Sequence, residues 1–167
     1  MSLDMRDKAA VQKRLWDDIE ASRFGMLGAH GEPMQLTPMT AFGERESGKI
    51  WFFTSKESEL AKASRLGVAA SFVIITKDQK LQACVRGELL ATDQDALHVD
   101  KYWSPVVAAW FPKGKEDPNL TMLCLTCSDA DVWVSEKGPL GFGWEIAKAN
   151  MGGGQPDVGG HAALVLA

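Results

Sequence analysis

Lys49-Ile50-Trp51-Phe52-Phe53-Thr54-Ser55-Lys56-Glu57-Ser58 (residues 49–58) is the stretch on which the fold turns. Its first half is aromatic and β-branched, and Gly48 precedes it, so Lys49–Thr54 reads as a compact strand. Its second half is rich in hydroxyls and charge. Ser55 is placed to cap a short helix over about 56–65, which Gly67 ends. A strand that runs straight into a capped helix start is the junction around which the rest of the chain arranges itself.

Downstream, Val68–Thr76 reads as an apolar strand, 77–80 as a turn and Leu81–Thr92 as a long strand. Gly87 lies inside that long strand, which predicts a bulge or a close backbone approach. Asp93 opens a helix to about Tyr102. Ser104-Pro105 restarts a helical turn that runs through Trp110, since proline is tolerated at a first helical position. Phe111–Pro118 is a loop, and Leu120–Cys127 and Asp131–Val134 are the last strands, joined by 128–130. Upstream, Met34–Met39 and Arg23–Ala29 read as a hairpin about the turn 30–33. Val11, Leu15 and Ile19 mark a packing face on a helix over 5–21 that Asp4 would cap. Residues 41–48 read as a polar loop.

About six strands with irregularly spaced helices predict a mainly β (α+β) fold, an antiparallel barrel rather than repeated βαβ units. The organisation expected is one domain over 1–140 followed by a tail over 141–167. That tail holds a helix near 143–150, a Gly- and Pro-rich loop over 151–160 and an apolar end that docks somewhere.

The 167 residues suffice for a full core without staples. A net charge of -4 and the lack of a basic run argue against a nucleic-acid partner. The N-terminus has no apolar signal-peptide core, and no run is long enough to cross a bilayer, so a soluble, cytoplasmic protein without a membrane partner is expected. Cys124 and Cys127 form a C-x-x-C within a strand. Positions three apart point to opposite faces, roughly 10 Å apart, so neither a disulfide nor a zinc site is expected. His30, His98 and His161 lack ligand-like spacing and read as structural or solvated.

Several segments together resemble the general stress protein 26 family, in the pyridoxamine 5′-phosphate oxidase-like group of FMN-binding split barrels. They are Pro38-Met39-Thr40, WFFTSKES (51–58), Gly87, Trp103-Ser104-Pro105, the Trp110–Gly114 loop, Asp117-Pro118 and Trp133. The resemblance implies a six-stranded antiparallel split β-barrel with flanking helices. It also implies a homodimer that holds FMN, FAD or another flavin-like ligand at the subunit interface. Carried over, Met39 and Thr40 lie along the flavin ring, Phe53, Thr54 and Ser55 line the ring and ribityl chain, Ser58 meets the phosphate, and Trp110 approaches from the other subunit.

The residues themselves suit that chemistry. A phosphate needs donors and positive potential, which Thr54, Ser55, Ser58 and Lys56 offer, and a helix start adds N–H groups. A flat ring needs apolar walls with a few polar contacts. One position departs from the family pattern. The lysine usual two residues after the serine is here Leu60, and Lys56 or Lys62 would have to substitute for it. The function expected is a flavin-dependent oxidoreductase of unknown substrate with no assigned catalytic residue. The alternatives are a non-enzymatic flavin-binding stress protein, or a dimeric scaffold that has lost its cofactor. The plainer account of the same residues is aromatic packing and an ordinary helix cap.

Overall fold

The structure, a computed structural model, describes residues 3–31, 33–93, 95–135, 137–152, 154–156 and 159–166. Of the positions read as turn or loop, Glu32, Gly153, Asp157 and Val158 fall outside that set, as does Ala167 at the end of the apolar tail.

Helix α1 (Lys8–Ser22) buries Val11, Leu15, Trp16 and Ile19 on one face. Its cap is Asp7, whose carboxylate accepts from Ala10 N at 3.0 Å. The expected cap, Asp4, pairs with Arg6 instead. There follow β1 (Phe24–Ala29), β2 (Thr37–Thr40), β3 (Phe42–Glu44), β4 (Lys49–Ser55), α2 (Glu59–Ala63), β5 (Val68–Ile75) and β6 (Leu81–Thr92). Helices α3 (Ala96–Tyr102) and α4 (Pro105–Ala108) and a 3-10 turn at Gly114–Glu116 lead to β7 (Leu120–Val134), α5 (Gly138–Gly152) and β8 (Gly160–Val165).

All strand pairs are antiparallel, in the order β2-β1-β5-β6-β7-β4-β3, with β8 on β7 beyond the end of β4. The sheet curls into a split half-barrel with helices flanking it, the fold class expected. Its eight strands among the described residues exceed the expected six for two reasons. Phe42–Glu44, read as loop, forms the short strand β3 against β4. The tail forms β8, whose Ala162 and Leu164 enter the main core.

The two predicted segments at 120–127 and 131–134 are one continuous strand. Gly87 pairs with Cys127 and Arg86 with Asp129, so Ser128 bulges out between them. A β-carbon on Gly87 would sit 2.0 Å from Thr126 O, so the close approach expected at this glycine is real.

Two apolar clusters flank the wall formed by β4 and β7, and strand alternation assigns residues to them. Ile50 and Phe52, with Leu123, Leu125 and Cys127, face the barrel interior under α1. Trp51 and Phe53, with Leu120, Met122 and Cys124, face outward, where Val99, Val107 and Phe111 cover them. The two thiols of the C-x-x-C therefore stand in different cores, and both are free. Burial pushes the Cys127 thiol up to about 12. No group of three or more potential metal ligands gathers among the described residues. No helix among them is long and apolar enough to cross a membrane.

Candidate functional site

The end of β4 presents hydroxyls in a tight cluster. The Thr54 hydroxyl donates to Ser58 Oγ at 3.1 Å, and Ser58 Oγ accepts from Ala61 N at 3.1 Å. Ser58, rather than Ser55, is thus the cap of α2. The predicted ten-residue helix is correspondingly shortened to five residues, Glu59–Ala63. Residues 55–58 form a turn instead. Ser55 O accepts from Ser58 N at 3.0 Å, and Ser55 Oγ accepts from Glu57 N at 3.1 Å. Local hydroxyl-to-backbone bonds of this kind compete with helix. A single-turn helix has little dipole, so attraction for an anion at this point comes from the hydroxyls and from Lys56.

A second segment reaches this turn. The Ser55 hydroxyl donates to Asn119 Oδ1 at 3.0 Å, and Lys56 N donates to Asn119 O at 2.8 Å. Asn119 is held in turn by Asp117, whose carboxylate accepts from Asn119 N at 3.0 Å and Lys113 N at 3.2 Å. The Trp110–Gly114 and Asp117-Pro118 motifs are therefore tied to the end of β4 by side-chain chemistry. Asn119 was not among the expected site residues. Its role depends on pairing across 64 positions, which local pattern does not encode.

The remaining expected residues separate. Met39 and Thr40 end the edge strand β2, which passes close to β4. Met39 is half-buried against the main core, while Thr40 is exposed. Phe53 is half-buried and meets Phe42 and Trp103 edge-on, with centroids at 5.8 and 6.1 Å. Trp110 leaves the fold altogether: it is 78% exposed. Lys62 points away from the hydroxyls, its ammonium 3.2 Å from Glu59 and 3.9 Å from Glu57. Lys56 makes no ion pair among the described residues, so it is the better candidate of the two for the missing cation. Leu60 is 7% exposed and packs in the main core, so a lysine would not be accommodated at this position without burying its charge.

A further polar cluster was not expected. The Glu44 carboxylate accepts from Lys101 Nζ at 2.5 Å and Tyr102 Oη at 2.7 Å, and from the Ser47 hydroxyl at 3.0 Å. Burial pushes its carboxyl up, but these donors outweigh it and hold Glu44 at about 2. His98 stacks on Trp51, centroids 3.7 Å apart, with Nδ1 at 2.7 Å from Asp95 and Nε2 at 3.4 Å from Glu44. The cluster pins α3 to β3. It also lines a cleft of about 600 Å³ whose other walls include Arg23, Phe42 and Arg45.

The hydroxyl turn, with Lys56 and the edge strand beside it, fits one side of a phosphate-bearing planar ligand. Among the described residues the Ser58 hydroxyl proton and the Lys56 ammonium are uncommitted, and the aromatic Phe53 stands on the same strand as Thr54.

No curated protein matches the chain. Solved structures do. A candidate general stress protein 26 from Jannaschia sp. CCS1 is 34% identical, covers 94% of this chain and 99% of its own, and superposes with a TM-score of 0.79. A general stress FMN/FAD binding protein from Xanthomonas citri is 38% identical over 75% of this chain and 89% of its own, with a TM-score of 0.69. A candidate general stress family protein from Xanthomonas campestris pv. campestris is 37% identical over 77% and 89%, at 0.70. The pyridoxamine 5′-phosphate oxidase-like family profile matches residues 10–157. With sheet order, motifs and profile in agreement over most of its length, the chain belongs to the pyridoxamine 5′-phosphate oxidase-like family.

Proposed function

We propose that this protein binds a flavin, FMN or FAD, at an interface between two copies of the chain, and serves as a flavin-dependent oxidoreductase. The observation that carries the reading is the hydroxyl turn Thr54-Ser55-Ser58 with the unpaired Lys56, in a family member whose relative from Xanthomonas citri is an FMN/FAD binding protein. Bound flavin would supply two-electron redox chemistry, which the protein positions and tunes.

The chain's own residues have distinct tasks in this reading. Ser58, whose hydroxyl proton has no acceptor among the described residues, donates to a phosphate oxygen, Thr54 and Ser55 orient the turn through their bonds to Ser58 Oγ and Asn119 Oδ1, and Lys56 adds charge. Asn119 fixes the Ser55 rotamer and keeps the turn open. Phe53 and the backbone of Met39 and Thr40 border the ring. Trp110, exposed on its own chain, closes the site of the other copy and excludes water there.

The test is a titration read by quenching of flavin fluorescence. FMN should bind more tightly than riboflavin, which lacks the phosphate. Lys56→Gln should weaken FMN about ten- to a hundredfold, as expected for one lost charge-assisted bond of about 1.5–3 kcal/mol, and leave riboflavin unchanged. Equal affinity for the two ligands would remove the phosphate assignment. Bleaching of the bound flavin by NADH or NADPH would establish an oxidoreductase. A loaded protein that neither donor reduces would be a carrier.

A further inference from the structure

The turn at the end of β4 is short of positive charge. Between Ser55 and Ala63 it carries two lysines and two glutamates, a formal sum of zero. Lys62 is taken up by Glu59 at 3.2 Å and Glu57 at 3.9 Å, which leaves Lys56 as the cation of the turn without an ion pair among the described residues. Glu57 and Glu59 stand on either side of Ser58, whose hydroxyl proton is the one left for a ligand.

The groups packed around the turn do not restore a positive balance. On the segment tied to it by Asn119, Lys113 and Lys115 are offset by Glu116 and Asp117. The Asp117 carboxylate holds the Lys113 backbone, and Lys115 pairs with Asp100 at 2.5 Å. Opposite Thr54 on β7, the Thr121 hydroxyl donates to Asp93 at 3.1 Å, which brings in a further carboxylate. Leu60 lies in the main core and supplies no charge, and the five residues of α2 add little dipole.

One free ammonium in a turn of no net charge suits a singly charged anion better than a doubly charged one. Attraction to Lys56 grows in proportion to the anion's charge, and so does repulsion from Glu57 and Glu59. The cost of taking the anion out of water grows with the square of its charge. A phosphomonoester such as FMN loses its second proton at about pH 6 and is close to doubly charged at neutral pH. A phosphodiester has one ionisable oxygen per phosphorus and stays singly charged there. Glu57 and Glu59 are 76% and 84% exposed, so the turn lies at the surface, and the part of a diester beyond its phosphate has solvent to enter.

We propose that this turn selects a flavin whose phosphate is singly charged, a diester such as FAD in preference to FMN, and that Glu57 and Glu59 set the choice. This selectivity rests on the flavin reading and narrows it to the charge of the phosphate.

Calorimetric titration of the full chain with FAD, FMN and riboflavin tests it. At about pH 7.5 FAD should bind roughly tenfold more tightly than FMN, with riboflavin weakest. FMN should gain about tenfold by about pH 5.5, where its phosphate keeps one proton, while FAD and riboflavin stay constant. Carboxylates and ammonium groups as classes ionise outside that window, so the phosphate is the group that changes. Glu57→Gln with Glu59→Gln should tighten FMN about tenfold at neutral pH and remove its gain on acidification. An FMN affinity equal to that of FAD, or one that falls on acidification, would overturn the proposal. So would a preference for FAD that neither pH nor the two glutamates alter, since that preference would come from the adenine. Should the double variant unfold, the pH series on the native protein decides alone. If none of the three ligands binds, the flavin reading falls and this one with it. If they bind in another order, only this one falls.

Discussion

At the scale of single residues, two positions carry constraints that their neighbours do not share. Gly87 is fixed by sterics, because any β-carbon there meets the Thr126 carbonyl oxygen at 2.0 Å. Gly87→Ala should lower stability by at least about 2 kcal/mol, at the severe end of overpacking. An unchanged urea midpoint would contradict this. Glu44 is fixed by electrostatics. Its carboxyl ordinarily titrates near 4.5 and is held at about 2 in the fold. The folded value is the lower one, so its contribution is present above about 4.5 and is lost as pH falls towards 2. The shift alone corresponds to roughly 3 kcal/mol, and the half-exposed Lys101 reduces this to the order of 2. Glu44→Gln should therefore be less stable than the native protein at neutral pH, and the gap should close as pH drops from 4.5 to about 2. A pH-independent gap would point to lost packing instead. Sequence revealed the first residue and not the second. A glycine inside a strand is visible in one line, whereas Glu44 meets Lys101 and Tyr102 only because β3 and α3 pack together.

At the scale of elements, β7 shows what alternation can and cannot tell. Its period of two separates Cys124 and Cys127 into different cores, as the C-x-x-C spacing within a strand implied. With both buried and both thiols raised by that burial, a thiol reagent should modify the half-buried Cys84 first. The other two should react only on unfolding, and prompt loss of all three would refute the burial. The break read at 128–130 is absent because tertiary bonds override local turn chemistry there. Arg86 lies 2.5 Å from Asp129 and 2.8 Å from Asp131, and the Ser128 hydroxyl donates to Arg86 O at 3.2 Å. Helix α2 fails in the opposite direction. Two serines three apart each offer a cap, and the backbone accepts the later one, Ser58. Ser58→Ala should cost about 1 kcal/mol through the lost cap. It should also weaken FMN more than riboflavin, and equal effects on the two ligands would leave Ser58 with the cap alone.

At the scale of the molecule, the barrel and the family were legible, because most strands are bounded by turn residues and the motifs fall at fixed places among them, whereas the order of strands in the sheet, which rests on long-range pairing, was not read. The last quarter was legible in part: the helix near 143–150 and the docking of the apolar end are both present, but the form of that docking was not read. Strand β8 depends on finding the free edge of β7 above β4. Under the proposed flavin reading the site too needs a second copy, since Trp110 is exposed on its own chain. Flavin affinity should therefore fall as the protein is diluted below its assembly threshold, and an affinity constant across a thousandfold dilution would mean that one copy suffices.

The placement of β4 between β3 and β7 has a consequence for synthesis. Lys49 faces Thr126 and Ser55 faces Leu120, so β4 must wait for roughly seventy further residues before its second edge is filled. Until then the ribosome-bound chain displays Ile-Trp-Phe-Phe with an open backbone edge, the kind of segment that seeds aggregation. Lys49 and Lys56 bracket it as charged gatekeepers. Chaperone demand during translation should peak in that interval and end when the long seventh strand emerges.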